Sequence, residues 1–349
     1  MAAESDGVKR GFILGKFMPP HAGHVTLIQS ARALVDELTI LLCSLPDDPI
    51  PGETRLEWMR AMFPDCRIVW HSKPAPQAPG DAPGLFWQIW SKIVAKAHPE
   101  PIDYVFAGEA YGRDLAEHVG GFFVPLGGRV LGADLRGIGG LAGEKVRADP
   151  WGYWNYLPRP VRNHYAMTVC LHGIESVGKS SLAERLADHY RTTFVPEYGR
   201  AHCETHGTDC REDDLMLIGR AQQAMIEAAR PFANRLLIAD TDALMTAAWS
   251  QMMIGYTPDQ LISQRKADLY LMLGSDAPFV DDGTRVYKTA EEREKFDRIA
   301  KATLVLSRTN FIEIRGSWDE RFEAAVTAID ALVKQNGLRW PAEQSVRNC

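Results

Sequence analysis

The chain of 349 residues is long enough for two domains, and its composition, 46% hydrophobic and 24% charged, is that of a folded globular protein. A net charge of −6, without any block of Lys or Arg, makes nucleic acid an unexpected partner. No apolar run approaches the roughly 18 residues that a membrane span requires, and the N-terminal MAAESDGVKR lacks the apolar centre of a signal peptide. The six scattered cysteines are typical of reduced thiols, so we expect a cytoplasmic protein without a membrane span.

Strands and helices alternate through the first half of the chain, a pattern that predicts an α/β domain with a parallel, Rossmann-like sheet covered on both faces. The predicted strands are residues 11–14, 38–44, 67–70 and 104–107, and the helices between them include residues 27–35, 53–62 and 86–94. Ligands of such sheets bind beyond the carboxyl ends of the strands. The segment after the first strand is therefore the expected site.

That segment reads GKFMPPHAGH at residues 15–24. Paired histidines at a helix start are often only capping or core residues, but the longer string resembles the signature of nucleotidyltransferases with an HxGH motif. Two imidazoles beside a helix N-terminus can donate hydrogen bonds to an oxyanion that develops on a phosphate. We expect His21 and His24 to be catalytic. The residues expected to contact ATP in this domain are Gly15, Lys16, Phe17, His21, His24 and Arg147.

Seven glycines between Pro125 and Gly143 predict a loop near this site. The string 141–147 follows, where related adenylyltransferases typically carry [IL]-S-x-T-x-[IV]-R to serve the ATP phosphates. Arg147 matches that pattern, whereas Ala142 and Glu144 replace the hydroxyl residues. Because a carboxylate repels a triphosphate, we expect a weak adenylyltransferase. The alternative is that Glu144 points to solvent or pairs with Lys145 or Arg147, while the glycine-rich loop supplies N–H donors in place of the hydroxyls.

Residues 149–165 are the expected joint between a first domain of residues 1–148 and a second of residues 166–349. Within residues 149–162, four aromatic residues and three prolines make a poor flexible linker. A stiff, packed joint is therefore predicted.

The second domain begins with an apolar strand, the octapeptide GIESVGKS at residues 173–180 and a helical pattern. This is the strand, loop and helix setting that the P-loop motif requires. Glycines let backbone N–H groups face one anion, Lys179 reaches the β- and γ-phosphates, and Ser180 ligates Mg²⁺. We predict a P-loop kinase domain that uses Mg²⁺ and takes ATP as a substrate. Its expected ATP contacts are Gly173, Glu175, Ser176, Val177, Gly178, Lys179, Ser180 and Ser181.

Two acidic residues follow later strands of this domain. Glu197 comes after the predicted strand 192–195 and Asp240 after the predicted strand 236–239. We expect Asp240 to serve Mg²⁺ with Ser180 and Glu197 to orient or deprotonate the acceptor hydroxyl, and the reverse division stays open.

Three further features of the second domain carry weaker predictions. Asp242 is expected to cap the helix that starts at residue 243. Arg285 is expected to reach the transferred phosphoryl from a lid at residues 276–285, with a solvated loop as the alternative. The spacing of His202, Cys203, His206 and Cys210 matches no standard zinc finger, so metal is not expected there.

Together and in this order, the motifs resemble the NadR-type bifunctional family, in which a nicotinamide-mononucleotide (NMN) adenylyltransferase is fused to a ribosylnicotinamide kinase. The resemblance spans residues 15 to about 333. It is carried by GKFMPPHAGH, by FWQIW at 86–90, RADP at 147–150, GIESVGKSS at 173–181, EYGR at 197–200, DTD at 240–242 and VDDG at 280–283.

The resemblance implies that ATP phosphorylates nicotinamide riboside (NR) to NMN and that a second ATP adenylylates NMN to NAD. Small molecules, namely ATP, NR, NMN and NAD, are therefore the expected partners, and homo-oligomerisation is left open. The residues implied to contact the nucleoside are Glu197, Tyr198, Asp242, Phe279, Asp281 and Asp282. Phe279 stands where relatives often have Trp. Only about ten residues precede the first strand, so we expect neither a helix-turn-helix domain nor a repressor function.

Two other functions remain open at this point. The same folds could act on another nucleoside or cofactor precursor, or the protein could be an ATP and NAD sensor that controls a partner. The acids at two strand ends, Glu197 and Asp240, favour an enzyme, because binding alone does not require them.

Overall fold

The computed structural model of the chain describes residues 7–126, 141–276 and 286–340. It divides into two compact units, Met1–Val161 and Arg162–Cys349. Each unit contains one five-stranded sheet in which every strand pairing is parallel. The prediction of an α/β protein with two parallel-sheet domains is confirmed. Phe279, Asp281, Asp282 and Arg285 lie outside the described residues.

The first unit alternates strands and helices along its length. Its elements are β1 (Arg10–Gly15), α1 (Ala22–Arg32), β2 (Glu37–Cys43), α2 (Gly52–Met62), β3 (Arg67–His71), α3 (Phe86–Ala97), β4 (Tyr104–Ala107), α4 (Tyr111–Val119), β5 (Phe122–Pro125) and α5 (Gly143–Ala148), with short 3-10 helices at Pro79–Asp81 and Trp154–Tyr156. The strand order is β3-β2-β1-β4-β5, which places β1 at the centre. The change of direction beside β1 is where ligands bind in such sheets.

The central strands of this sheet, β1, β2 and β4, are buried on both faces, as their apolar sequences require. Ile13, Ile40 and Phe106 face a cluster that α1 and α2 cover, whereas Phe12 and Leu41 face a cluster that α3 and α4 cover. The alternation along each strand therefore sends successive side chains into two cores.

The second unit has the same layered organisation. Its elements are β6 (Met167–His172), α7 (Lys179–His189), β7 (Phe194–Val195), α8 (Tyr198–His206), α9 (Glu212–Ala229), β8 (Leu236–Asp240), α10 (Ala243–Met253), α11 (Asp259–Ile262), β9 (Leu269–Leu273), α12 (Ala290–Leu306), β10 (Phe311–Ile314) and α13 (Trp318–Gln335), with a 3-10 helix at Arg230–Phe232. Helix α6 (Arg159–Tyr165) precedes β6. The strand order is β10-β9-β6-β8-β7. The carboxyl ends of β6 and β8 are adjacent, since Leu171 pairs with Asp240.

Several elements differ from the prediction. β7 is only Phe194–Val195, because Arg191 has a positive φ of 49° and the Thr192 hydroxyl donates to the Leu236 carbonyl. β5, α4, α8, α11 and α12 were not predicted. β5 is short and ends in proline, and α12 is strongly charged with only three buried side chains, so neither has a clear apolar pattern.

Two aromatic side chains of the expected joint are interior residues. Trp151 is 0% and Trp154 2% exposed. Burial of the two indoles stabilises this part of the segment, which belongs to the first unit. The division into units falls after Val161, within helix α6.

Candidate functional site

The loop between β6 and α7 has the backbone of an anion-binding P-loop. Gly173 (φ 135°), Ser176 (φ 61°) and Gly178 (φ 85°) all lie in conformations that most L-residues avoid. A Cβ on Gly173 would lie 2.8 Å from the carbonyl oxygen of Leu273, so the end of β9 also requires a glycine there. Helix α7 begins at Lys179, and its unpaired N-terminal N–H groups favour an anion at the loop.

Lys179 folds back over this loop. Its ammonium group donates to the carbonyl oxygen of Ile174 at 2.9 Å, and the residue is buried. A cation held inside the loop adds positive charge where the backbone already favours a phosphate.

Ser180 and Asp240, the two residues expected to bind the metal, are in direct contact. The Ser180 hydroxyl, in the first turn of α7, donates to Oδ2 of Asp240, at the end of β8, over a distance of 2.5 Å. Oδ1 of Asp240 is buried without a hydrogen-bond partner among the described residues. Burial and the nearby carboxylate of Glu197 raise the pKa of Asp240 to about 6. A hydroxyl beside a carboxylate with an unused oxygen suits Mg²⁺, which prefers oxygen ligands and keeps several waters.

A cleft opens beside Lys179. Glu197, which immediately precedes α8, lies on its wall with Glu175 and Arg200, and the apolar wall comes from α9 and α10. The side chains that line it include Leu215, Ile218, Met245, Trp249 and Met253. A cleft with an apolar wall and a few charged groups beside a phosphate loop is suited to a nucleoside acceptor.

Trp249 was not singled out from the sequence. Its indole stacks on the ring of Tyr287, with centroids 5.7 Å apart and planes 25° from parallel. The two lie far apart in sequence, and only the packing of α10 against α12 brings their segments together. An aromatic residue within an apolar helix, six positions after the start of α10, is otherwise typical of a core position.

Glu175 also lines this cleft, but its hydrogen bonds are made to other residues of the protein. Its carboxylate accepts hydrogen bonds from the backbone N–H groups of Val286 at 3.3 Å and Tyr287 at 3.4 Å, and its carbonyl accepts from Arg293 at 3.2 Å. The P-loop is thereby tied to the segment that leads into α12.

Two residues expected to contact the nucleoside have other roles in the structure. Asp242 is an interior N-cap of α10, because Oδ1 accepts from the Leu244 N–H at 2.9 Å and Oδ2 from the Tyr270 hydroxyl at 2.6 Å. Burial raises the pKa of Asp242 to about 6. The ring of Tyr198 packs on the cluster around Cys210 and Leu215. Neither side chain is among those that line the cleft, and the nucleoside contacts implied for these two residues stay predictions.

The sulfurs of Cys203 and Cys210 are 3.9 Å apart, and the rings of His202 and His206 are 4.8 Å apart. Across the described residues, no group of three or more His, Cys, Asp or Glu side chains is arranged to hold a metal ion.

The paired histidines of the first unit stand at the start of α1, just beyond the carboxyl end of β1. His21 is the N-cap, and its Nδ1 accepts from the Gly23 N–H at 3.2 Å. Nδ1 of His24 accepts from the His21 N–H at 3.3 Å, and the two ring centroids are 3.9 Å apart. The reciprocal cap orients both imidazoles at a helix N-terminus, which suits a phosphate ligand.

Two arginine side chains donate hydrogen bonds to the loop that precedes these histidines. Arg55, fully buried, donates to the Lys16 carbonyl at 2.7 Å and pairs with Asp48 at 2.6 Å. Arg147 donates to the Met18 carbonyl at 2.8 Å. The arginine expected to bind phosphate is therefore bonded to the loop that carries the histidines.

The ring of Phe17 lies in the core of the first unit. It is 2% exposed, belongs to the core cluster and packs on Gly15, so the expected ATP contact at this position stays a prediction and would have to come from the backbone. Glu144, in the first turn of α5, is exposed. The exposed position is the one in which its charge interferes least with a bound triphosphate.

No helix of the described residues is long and apolar enough to cross a membrane. A sequence-family profile described as an AAA domain matches residues 168–321, which contain the P-loop and both acids.

The chain is also similar to known proteins over nearly its whole length. It is 28% identical to the trifunctional NAD biosynthesis/regulator protein NadR of Salmonella typhimurium, covering 94% of this chain and 84% of that protein. It is 28% identical to the protein of the same name from Escherichia coli, covering 91% and 82%.

Two crystal structures share the fold. A NadR protein in complex with NR matches 97% of this chain and 99% of its own, with a TM-score of 0.74 and 21% identity. A NadR protein in complex with NAD and AMP-PNP matches 94% and 97%, with a TM-score of 0.72 and 19% identity. The predicted resemblance to the NadR-type proteins is thereby confirmed across both units of the chain.

Proposed function

We propose that this chain makes NAD in two steps, as a ribosylnicotinamide kinase in its second unit and an NMN adenylyltransferase in its first. The observation that carries the proposal is the match to trifunctional NAD biosynthesis/regulator proteins along 94% of the chain, which includes both candidate sites. The scattered cysteines, of which the five described are unpaired, suit a reducing compartment, so we place the activity in the cytoplasm.

In the kinase step, the 5′-hydroxyl oxygen of NR attacks the γ-phosphorus of ATP, the bond to the β–γ bridging oxygen breaks, and ADP leaves. Lys179 and the loop N–H groups bind the phosphates. Ser180 and Asp240 are the residues that would hold Mg²⁺, which when bound neutralises charge on the phosphates.

Glu197 is the better candidate for the residue that receives the proton of the acceptor hydroxyl. It lines the cleft, whereas Asp240 is already bonded to Ser180. The assignment leaves Asp240 for the metal and gives each of the two neighbouring acids a separate task.

In the second step, a phosphate oxygen of NMN attacks the α-phosphorus of ATP, and pyrophosphate leaves as NAD forms. His21 and His24 stabilise the charge on the phosphates from the start of α1. Arg147 and Arg55 keep the histidine loop in place through the carbonyls of Met18 and Lys16. Because Ala142 offers no hydroxyl, this half is expected to be the slower one.

The experiment supplies the purified protein with NR, ATP and Mg²⁺ and resolves ADP, NMN, NAD and pyrophosphate by chromatography. We expect ADP and NMN to appear first and NAD with pyrophosphate to follow, and NMN with ATP to give NAD without ADP. Parallel reactions contain uridine, cytidine or adenosine in place of NR. Faster turnover of one of these would identify another nucleoside as substrate, and ATP binding without any product would indicate a sensor.

A further inference from the structure

A fully buried arginine lies behind the P-loop, near the start of α13. Arg321 is 1% exposed and donates four hydrogen bonds to three separate segments. Its acceptors are the Val177 carbonyl at 2.9 Å, the Gly274 carbonyl at 3.2 Å, Oδ1 of Asp276 at 2.8 Å and the Gly316 carbonyl at 2.8 Å. One guanidinium group therefore connects the P-loop, the end of β9 and the turn before α13.

The bond to Val177 fixes the orientation of a peptide within the phosphate loop. In a trans peptide the carbonyl and the following N–H point in opposite directions. Because the Val177 carbonyl points to Arg321, the N–H of Gly178 points away from it. A P-loop binds phosphate through such N–H groups, and their direction decides whether they reach the anion.

A second contact from α13 reinforces this arrangement. A Cβ on Gly178 would lie 2.1 Å from the indole of Trp318, so that ring packs directly against the loop backbone. The helix start is itself firmly held, since Ser317 and Glu320 form a reciprocal capping box. Trp318 and Arg321 are three positions apart and so share one face of α13.

We propose that Arg321 is a positioning residue for the phosphates of the kinase nucleotide, acting through the Val177–Gly178 peptide. It does not line the acceptor cleft, so its effect falls on nucleotide binding and not on the nucleoside. Lysine cannot replace it, because one ammonium group cannot serve carbonyls on three segments with the geometry of a guanidinium. The inference rests on the proposed kinase only in naming ATP as the nucleotide.

The same unit offers a matched control. Arg230 is 2% exposed and donates to the carbonyls of Asn163 at 3.1 Å and Ala166 at 2.7 Å, and also to the Thr168 hydroxyl. These acceptors lie at and before the start of β6, at the end of the strand opposite the P-loop. Arg230→Lys therefore removes a comparable buried network without touching the phosphate loop.

The test compares Arg321→Lys, Arg230→Lys and wild type by calorimetric titration with MgADP, with NR titrated separately, and by thermal unfolding. We expect Arg321→Lys to weaken MgADP binding about tenfold, or about 1.4 kcal/mol, with NR affinity within about twofold. Arg230→Lys should lower Tm to a similar extent and leave both affinities within about twofold. ATP kinetics should show the Arg321→Lys effect chiefly in KM for ATP.

Asp276→Asn is the milder second variant, because Asp276 is partly exposed and its loss weakens only one of the four bonds. We expect about a threefold weaker MgADP affinity and a nearly unchanged Tm. Equal MgADP affinities in Arg321→Lys and Arg230→Lys at equal Tm would overturn the proposal, as would wild-type affinity in Asp276→Asn. MgADP binding needs no acceptor, so a wild type without NR kinase activity would refute the proposed function and still leave this comparison decisive.

Discussion

At the scale of single residues, the neutral histidine at the end of β6 has a measurable consequence for stability. His172 is fully buried, and its Nε2 lies 3.1 Å from the Ala300 carbonyl. Burial lowers the pKa of His172 to about 3. As the pH falls, His172 therefore becomes protonated near pH 6.5 in the unfolded chain but remains neutral in the folded protein until about pH 3.

Because the pKa of His172 is lower in the folded protein than in the unfolded chain, stability should fall as the pH falls. Between pH 7.5 and pH 5, His172 should remove about 2 kcal/mol from the free energy of unfolding, and the loss grows as the pH falls toward 3. His172→Gln should show a pH dependence that is shallower by about that amount. Urea unfolding at both pH values measures the difference, and His206→Gln, at an exposed position, is the control. The same slope in His172→Gln and wild type would show that His172 is not the titrating group.

Residue types at fixed offsets were predictable from the sequence, and long-range contacts were not. Lys179, Ser180 and Asp240 were expected at one site because motif spacing and strand ends place them there, and the structure brings them together. Arg321 donates to the carbonyl of Val177, 144 positions away, so no local sequence pattern predicts this contact. Asp242 shows the converse, since its local capping role was predictable from the sequence and its hydrogen bond with Tyr270 was not.

At the scale of elements, the P-loop and α13 depend on each other through a glycine. Gly178 has φ 85°, and a Cβ there would overlap the Trp318 ring. Gly255 has φ 84°, and a Cβ there would have nothing within 4 Å. The two glycines share the same backbone strain on substitution and differ in the steric contact.

We therefore expect Gly255→Ala to cost about 1–2 kcal/mol of unfolding free energy, the usual price of a left-handed alanine. Gly178→Ala should cost at least about 1 kcal/mol more, because overpacking adds to the strain. In a Trp318→Ala background the excess should disappear. Urea unfolding of Gly178→Ala and Gly255→Ala, each in the native and in the Trp318→Ala background, measures these free energies. Equal losses for the two glycine variants in the native background would contradict the contact between Gly178 and Trp318.

The elements also show where periodicity fails as a guide. β1, β2 and β6 are nearly continuous apolar runs buried on both faces, and their positions were expected from the sequence. β5, with four residues of which none is buried, has no such signal. Its place at the sheet edge is fixed by pairing with β4 and not by its own composition.

At the scale of the whole molecule, each unit has its own sheet and one of the two sites. The fold class was predictable because alternating strands and helices leave few architectures, and the order of the motifs then indicated the family. The exact boundary between the two units was not predictable, since helix α6 continues across residue 161 without a change in composition.

Because the two sites lie in separate units, the two activities should be removable one at a time. Lys179→Ala deletes a charge held in the kinase loop and should lower NMN formation from NR by about 10²-fold or more. His24→Ala removes an imidazole from the start of α1 and should lower NAD formation from NMN by about 10²-fold. Each variant should keep the other activity within about twofold, because the substituted side chain belongs to the candidate site of one reaction only. Separate assays with NR and with NMN measure both rates, and an equimolar mixture of the two variants should regain NAD formation from NR. A Lys179→Ala protein that also fails to convert NMN to NAD would show that one nucleotide site serves both reactions, which would contradict the assignment of one reaction to each unit.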